Sequence, residues 1–130
     1  MEQNFDIWFF NYQNWHGNYA IYFEEARRAF GYKYGIDYND LKAEGLFVPI
    51  VRMEADYLRP LKDAQDIEIE AKYIPTEAAK IVFEYKIYAE IEDKRKLMSK
   101  GKTVQVMLDE NRQLIMANPA FIKNWKAKWL

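Results

Sequence analysis

The segment Asn14-Trp15-His16-Gly17-Asn18-Tyr19 holds the densest set of residues with chemical potential in this sequence. His16 is the only histidine, and an imidazole can give and take a proton near neutral pH. Gly17 lets a ligand approach the backbone closely. Asn14 and Asn18 are residue types that cap helices. The segment stands where a strand pattern hands over to a helical one, and a helix start offers unpaired N–H groups and a partial positive charge. Such a place can hold an anion or a developing oxyanion. The same residues also have a plain structural reading: His16 as a hydrogen-bonding side chain, the asparagines as caps, Trp15 and Tyr19 as core. Residue type alone leaves both open.

Composition narrows what the chemistry can be. The 130 residues suit one domain, spanning 1–130, and half of them are apolar, enough for a real core. Nineteen basic side chains face twenty acidic ones, so no strong field draws in nucleic acid. With no cysteine there is no disulfide frame, thiolate nucleophile or cysteine metal site. A lone histidine also speaks against zinc. The first six residues lack a basic region followed by an apolar stretch, and no run is long enough for a membrane span. A cytoplasmic protein with no metal and no membrane partner is the expectation.

The elements that must position the segment follow from hydrophobic period. Phe5 to Phe10 reads as a short strand, broken by Asn11-Tyr12-Gln13-Asn14. From Tyr19 to Tyr34, the residues Tyr19, Ala20, Phe23, Ala26 and Phe30 share one helical face. Glu24, Glu25, Arg27, Arg28 and Lys33 take the other, with Glu24 and Arg28 spaced to pair. Gly35 suits the helix end, and Asp37 to Gly45 suits a second short helix. The period then becomes two. Phe47 to Tyr57, Asp66 to Tyr73, Ile81 to Ile91 and about Leu97 to Leu108 read as strands, with Leu114 to Ala117 as a last one. Gly101 inside the fourth marks a bulge or a close backbone approach. Pro119 onward, with Phe121, Ile122, Trp125 and Trp129, reads as an amphipathic terminal helix. The expected class is α+β: one long central helix wrapped by an antiparallel sheet of five to six strands, with an edge that a second copy can cover.

His16-Gly17-Asn18-Tyr19 followed by Tyr22-Phe23-Glu24-Glu25-Ala26-Arg27 resembles the start of the long helix in hotdog-fold acyl-CoA thioesterases of the 4-hydroxybenzoyl-CoA thioesterase and YbgC type. The likeness runs on through Gly35-Ile36-Asp37-Tyr38, Glu44-Gly45, Pro49-Ile50-Val51, Tyr57-Leu58-Arg59-Pro60-Leu61, Asp66-Ile67-Glu68-Ile69, Gly101-Lys102-Thr103 and the Asp109 turn. It implies a hotdog domain that forms a dimer or a dimer of dimers, with acyl-CoA or acyl-carrier-protein sites between subunits. It implies no cofactor beyond the CoA of the substrate. A thioester carbonyl would lie at the helix start, with Trp15, Gly17, Asn18 and Tyr19 around it.

The pattern departs from that family at one place. Its members carry an Asp at the end of the first strand as nucleophile or general base; Phe9 holds the position here, and no acidic residue occurs from Ile7 to Phe23. Asn11 or Gln13 is left to fill the space, and an amide can orient a water but not act as a base. Two functions follow. In one, the domain hydrolyses the thioester: His16 or a polarised water replaces the acid, with Asn11 the second catalytic candidate, while helix N–H groups stabilise the oxyanion. In the other, the domain binds acyl thioesters without turnover, with Trp8, Phe9, Phe10, Trp15 and Phe47 lining an apolar pocket. A dehydratase of the same fold would need a histidine–carboxylate pair. Arg59, Lys62, Lys94, Arg95 and Lys96 are the basic residues that could meet CoA phosphates.

Overall fold

The computed structural model describes residues 7–13 (backbone only), 19–62 and 65–130. Strand β1 (Ile7–Gln13) precedes helix α1 (Tyr19–Tyr34) and the short helix α2 (Tyr38–Ala43). Strands β2 (Ile50–Tyr57), β3 (Asp66–Ile74), β4 (Lys80–Ile91) and β5 (Lys94–Val106) follow, and helix α3 (Ala120–Trp129) closes the chain. The strands form one antiparallel sheet in the order β1-β3-β4-β5-β2. The strand count lies within the range the hydrophobic pattern predicts.

Helix α1 forms where the period-3.6 stripe predicts it. Tyr22, Phe23, Ala26, Phe30 and Tyr34 are buried along it. They meet the inward face of the sheet, where Ile69, Tyr73, Phe83, Tyr85 and Ile87 alternate with outward charges. Phe30 lies 5.0 Å edge-on from Phe83 and 4.6 Å from Tyr34, centroid to centroid. Burying one such ring contributes on the order of 2–3 kcal/mol. Gly35, at φ 72°, ends the helix in the left-handed conformation.

Several boundaries differ from the sequence expectation. Asn11, Tyr12 and Gln13 continue β1, because each pairs with β3, opposite Glu68, Ile67 and Asp66. Strand pairing overrides the low strand propensity of Asn11 and Gln13. β2 starts three residues later than its alternation suggests: Phe47 makes only an isolated bridge to Leu108, and the register shifts between Ile50 and Arg52. Leu114 likewise makes a single bridge to Leu108, so 114–117 is no strand. Of the two readings of Gly101, the close approach holds, with the Phe23 ring packed over it; the register shift in that hairpin falls elsewhere, between Ile87 and Tyr88. Glu24 forms no pair with Arg28, whose guanidinium instead donates to the Tyr32 hydroxyl at 3.4 Å.

The hairpin joining β4 to β5 turns at Glu92 and Asp93, with φ of 52° and 62°, the two-residue turn whose twist matches its strands. Helix α3 packs across the end of α1. Trp125 Nε1 donates to the Tyr34 carbonyl at 2.7 Å, so the C-terminal helix satisfies a carbonyl that α1 leaves open. Lys126 Nζ donates to the Thr76 carbonyl at 2.7 Å, and burial pulls its pKa down.

β2 is the exception to good burial. It pairs with β5 on one side only, and Val51 (59%), Met53 (47%) and Tyr57 (65%) stay largely open to solvent. Met53 lies opposite the buried Thr103, so it belongs to the inward face yet stays 47% exposed among the described residues.

Candidate functional site

Tyr19 opens α1 and is half-buried. Its ring lies 4.6 Å from that of Tyr57 at the end of β2, and 5.8 Å from Tyr22. Burial raises its hydroxyl pKa, and the neighbouring Tyr57 adds to the shift. No acidic residue occupies the first turn of α1. The positive end of the helix is therefore not neutralised by a carboxylate of its own first turn. The predicted residues Trp15, His16, Gly17 and Asn18 lie outside the described residues, immediately before this turn in sequence.

Asn11 is placed by strand register. It pairs with Glu68, and Phe9 pairs with Glu70. Both glutamates alternate with the buried Ile67, Ile69 and Ala71, so they stand on the face of the sheet turned away from α1. There Arg95 Nε donates to Glu68 at 3.0 Å, and its guanidinium carbon lies 3.6 Å from the Tyr88 ring centroid. Tyr88 in turn donates to Glu70 at 3.1 Å. Arg95, one of the basic residues considered for CoA, is thus committed to this cluster. Arg59 Nη1 donates to the Leu97 carbonyl at 3.2 Å, just beyond Tyr57. Phe47 lies under the Arg112 guanidinium, 5.3 Å from ring centroid to cation.

A cavity of about 470 Å³ opens between the helices and the sheet. Helix α1 supplies Glu24, Arg27, Arg28 and Phe30; Ile36, Asp37 and Leu41 come from the α2 region. Val48, Ile50, Tyr73, Ile81, Phe83 and Gln105 complete the wall. Its size falls within the roughly 300–1,000 Å³ of small-molecule sites. Gln105 is held by its Nε2 donating to the Val48 carbonyl at 3.0 Å. Phe47, expected among pocket aromatics, is not part of this wall.

Arg27 is the cavity residue that sequence reading put on the wrong side. Assigned to the solvent face, it is half-buried and donates from Nη1 to the Tyr85 hydroxyl at 3.1 Å. That hydroxyl lies 2.7 Å from Thr103 Oγ1, which is fully buried. Burial pushes the Tyr85 pKa up, against the pull of Arg27 and Thr103. The missed signal is spacing: residue 27 lies four after Phe23 and three before Phe30, at the margin of the buried stripe. Among the described residues, no cluster of His, Cys, Asp or Glu could hold a metal, and no helix is long and apolar enough to cross a membrane.

Solved structures share this fold over most of its length. A DHNA-CoA thioesterase from Staphylococcus aureus superposes with a TM-score of 0.79 at 20% identity, covering 94% of this chain and 89% of that one. A 1,4-dihydroxy-2-naphthoyl-CoA thioesterase from Synechocystis gives 0.76 at 12% identity, with 93% and 96% covered. A mutant 4-hydroxybenzoyl-CoA thioesterase, complexed with 4-hydroxybenzoyl-CoA, gives 0.76 at 15%, with 92% and 98% covered. At these identities the likeness establishes the hotdog fold. No curated protein matches the sequence. The family model of the Thioesterase-like superfamily matches residues 10–126, nearly the full length that the sheet and α1 occupy. The chain belongs to the Thioesterase-like superfamily, named for the hydrolysis of thioesters.

Proposed function

We propose that the protein hydrolyses acyl-CoA thioesters at the start of α1, as a cytoplasmic homodimer built through β2. The observation that carries this reading is the first turn of α1, free of acidic side chains and with the sole histidine three residues before Tyr19 in sequence. N–H groups of that turn polarise the thioester carbonyl. A water attacks the carbonyl carbon and gives its proton to His16; the tetrahedral oxyanion is held by the helix start. Collapse breaks the carbon–sulfur bond, and the thiolate of CoA leaves with the proton from His16. Preorganised donors of this kind supply roughly 10²–10³-fold each, and a positioned base roughly 10²–10⁴-fold. Asn11 pairs with Glu68, whose face of the sheet is turned away from α1, so water orientation in this scheme is left to His16 and the helix start. Trp15, Gly17, Asn18 and Tyr19 are the residues assigned to the thioester itself.

The dimer is supported by the uncovered edge. A second copy running antiparallel along β2 would extend the sheet, pair the open strand edge and cover Met53. It would also bring the start of β2 in one copy beside the end of β2 in the other. Arg59 and Lys62, which follow Tyr57 on the chain, are the cations assigned to the CoA phosphates. CoA is preferred over a carrier protein here because the near-balanced charge presents no strong field for an acidic partner domain.

A second reading is favoured by one observation: the stretch from Ile7 to Phe23 holds no carboxylate. The domain would then bind acyl thioesters without turnover. Hydrolysis of short, long and aryl acyl-CoA esters, followed by thiol release, separates the two. Turnover lost in His16→Ala supports the hydrolase. A folded dimer that binds these esters and releases no thiol supports the binder.

A further inference from the structure

We propose that the cavity beside α1 is the acyl pocket and that Arg27 reads an acidic oxygen at the far end of the acyl group. This rests on the acyl-thioester reading above and goes beyond it in naming the acyl class. The walls contributed by Phe30, Leu41, Ile50 and Phe83 are apolar and suit a ring or a compact chain. The charge is what selects.

Arg27 is half-buried, and a guanidinium carries five N–H donors. One is spent on the neutral Tyr85 hydroxyl, and Arg27 pairs with no carboxylate among the described residues. Withdrawing such a cation from water without an anion is costly. The other charged groups of the cavity are otherwise placed. Asp37 and Asp40 form a reciprocal capping box at the start of α2, with the Asp37 N–H donating to Asp40 at 3.0 Å. Arg28 turns to Tyr32, and Glu24 is exposed. Tyr85, itself bonded to Thr103, holds Arg27 from behind. A carboxylate or similarly acidic oxygen entering the cavity would complete its hydrogen bonding with charge-assisted bonds.

Within one chain, Phe23 stacks on Tyr85 at 4.3 Å and sits over Gly101, between the cavity and the start of α1. The thioester would therefore reach the cavity from the α1 start of a second copy, past the first residues of β2. Arg27 acts as a specificity residue: it touches the acyl group and not the reacting carbonyl.

The test uses two non-hydrolysable ketone thioethers, phenacyl-CoA and 4-carboxyphenacyl-CoA, titrated calorimetrically into the intact dimer. The carboxylated ligand is expected to bind about tenfold tighter or better. Arg27→Met should erase that preference and leave phenacyl-CoA affinity within about twofold, while Arg27→Lys should keep part of it. Val48→Phe fills the cavity from the segment leading into β2, is not among the Arg27 contacts, and should weaken both ligands. Equal binding of the two ligands by the unmodified protein overturns the proposal, as does equal loss of both in Arg27→Met. Loss of the dimer in Arg27→Met with the preference intact would assign Arg27 to subunit contact instead. Undiminished binding by Val48→Phe overturns the location. Binding of neither ligand by a folded dimer sinks the acyl-thioester reading as well, and so is distinct from a mere failure to discriminate.

Discussion

The Cζ of Phe23 stands over Gly101 so closely that a Cβ built on residue 101 would lie 2.2 Å from it. The ring cannot swing clear, because it is fully buried and stacked on Tyr85 with an interplanar angle of 14°. The absent side chain at residue 101 lets helix α1 approach β5 here. Gly101→Ala is expected to cost about 1–3 kcal/mol by overpacking, read as a lower urea midpoint with an unchanged slope. Phe23→Leu in the same chain should recover part of the loss. A Gly101→Ala protein as stable as the parent would show that the helix can shift at no cost.

The hydroxyl pair Tyr85–Thr103 joins the sheet interior to Arg27. Thr103→Val removes a partner 2.7 Å away in a fully buried position and should cost about 1–3 kcal/mol. Combined with Arg27→Met, the losses should be non-additive by about 0.5 kcal/mol or more. Additive losses in chemical denaturation would show that the two contacts with Tyr85 are independent.

Alkaline pH should weaken the fold through the buried tyrosines. Burial pushes the Tyr73 pKa from its ordinary 10.0 up to about 12, and the Tyr85 pKa is raised for the same reason. The native state keeps a proton that the unfolded chain loses, so this stability is whole below pH 10 and is lost as pH rises towards 12. Tyr73 contributes a slope of about 1.4 kcal/mol per pH unit within that window. Urea midpoints measured from pH 8 to 12 should fall only in the upper half of the range. Tyr73→Phe should flatten the fall, and an equal fall in both proteins would remove Tyr73 as its source.

Subunit pairing through β2 predicts that Met53→Asp yields monomers. Met53 is 47% exposed on the inward face of an edge strand, and the substitution buries an unpaired carboxylate in any partner seated there. Sedimentation should show the change directly, together with loss of acyl-CoA hydrolysis. A Met53→Asp dimer would move the interface elsewhere.

Much of the architecture was legible because the apolar period switches cleanly from 3.6 over Tyr19–Tyr34 to 2 over β3 and β4. The ends of β1 and β2 were not. Asn11 and Gln13 are poor strand formers held by pairing to β3, and the shift at Ile50/Arg52 depends on what β5 offers opposite. Pairing partners are distant in sequence, so no local pattern records them.

By itself the sequence determined the class of fold, the resemblance to a thioesterase helix start around His16–Tyr19, and the absence of a carboxylate from Ile7 to Phe23. These depend on residue type and short-range spacing. Only the tertiary structure turned Arg27 inward to Tyr85, opened the cavity beside it and left Met53 uncovered. Helical period alone puts residue 27 at the margin of the buried stripe. Which way a marginal arginine turns is decided by what the opposing sheet presents to it: here a buried hydroxyl pair that can accept its hydrogen bond.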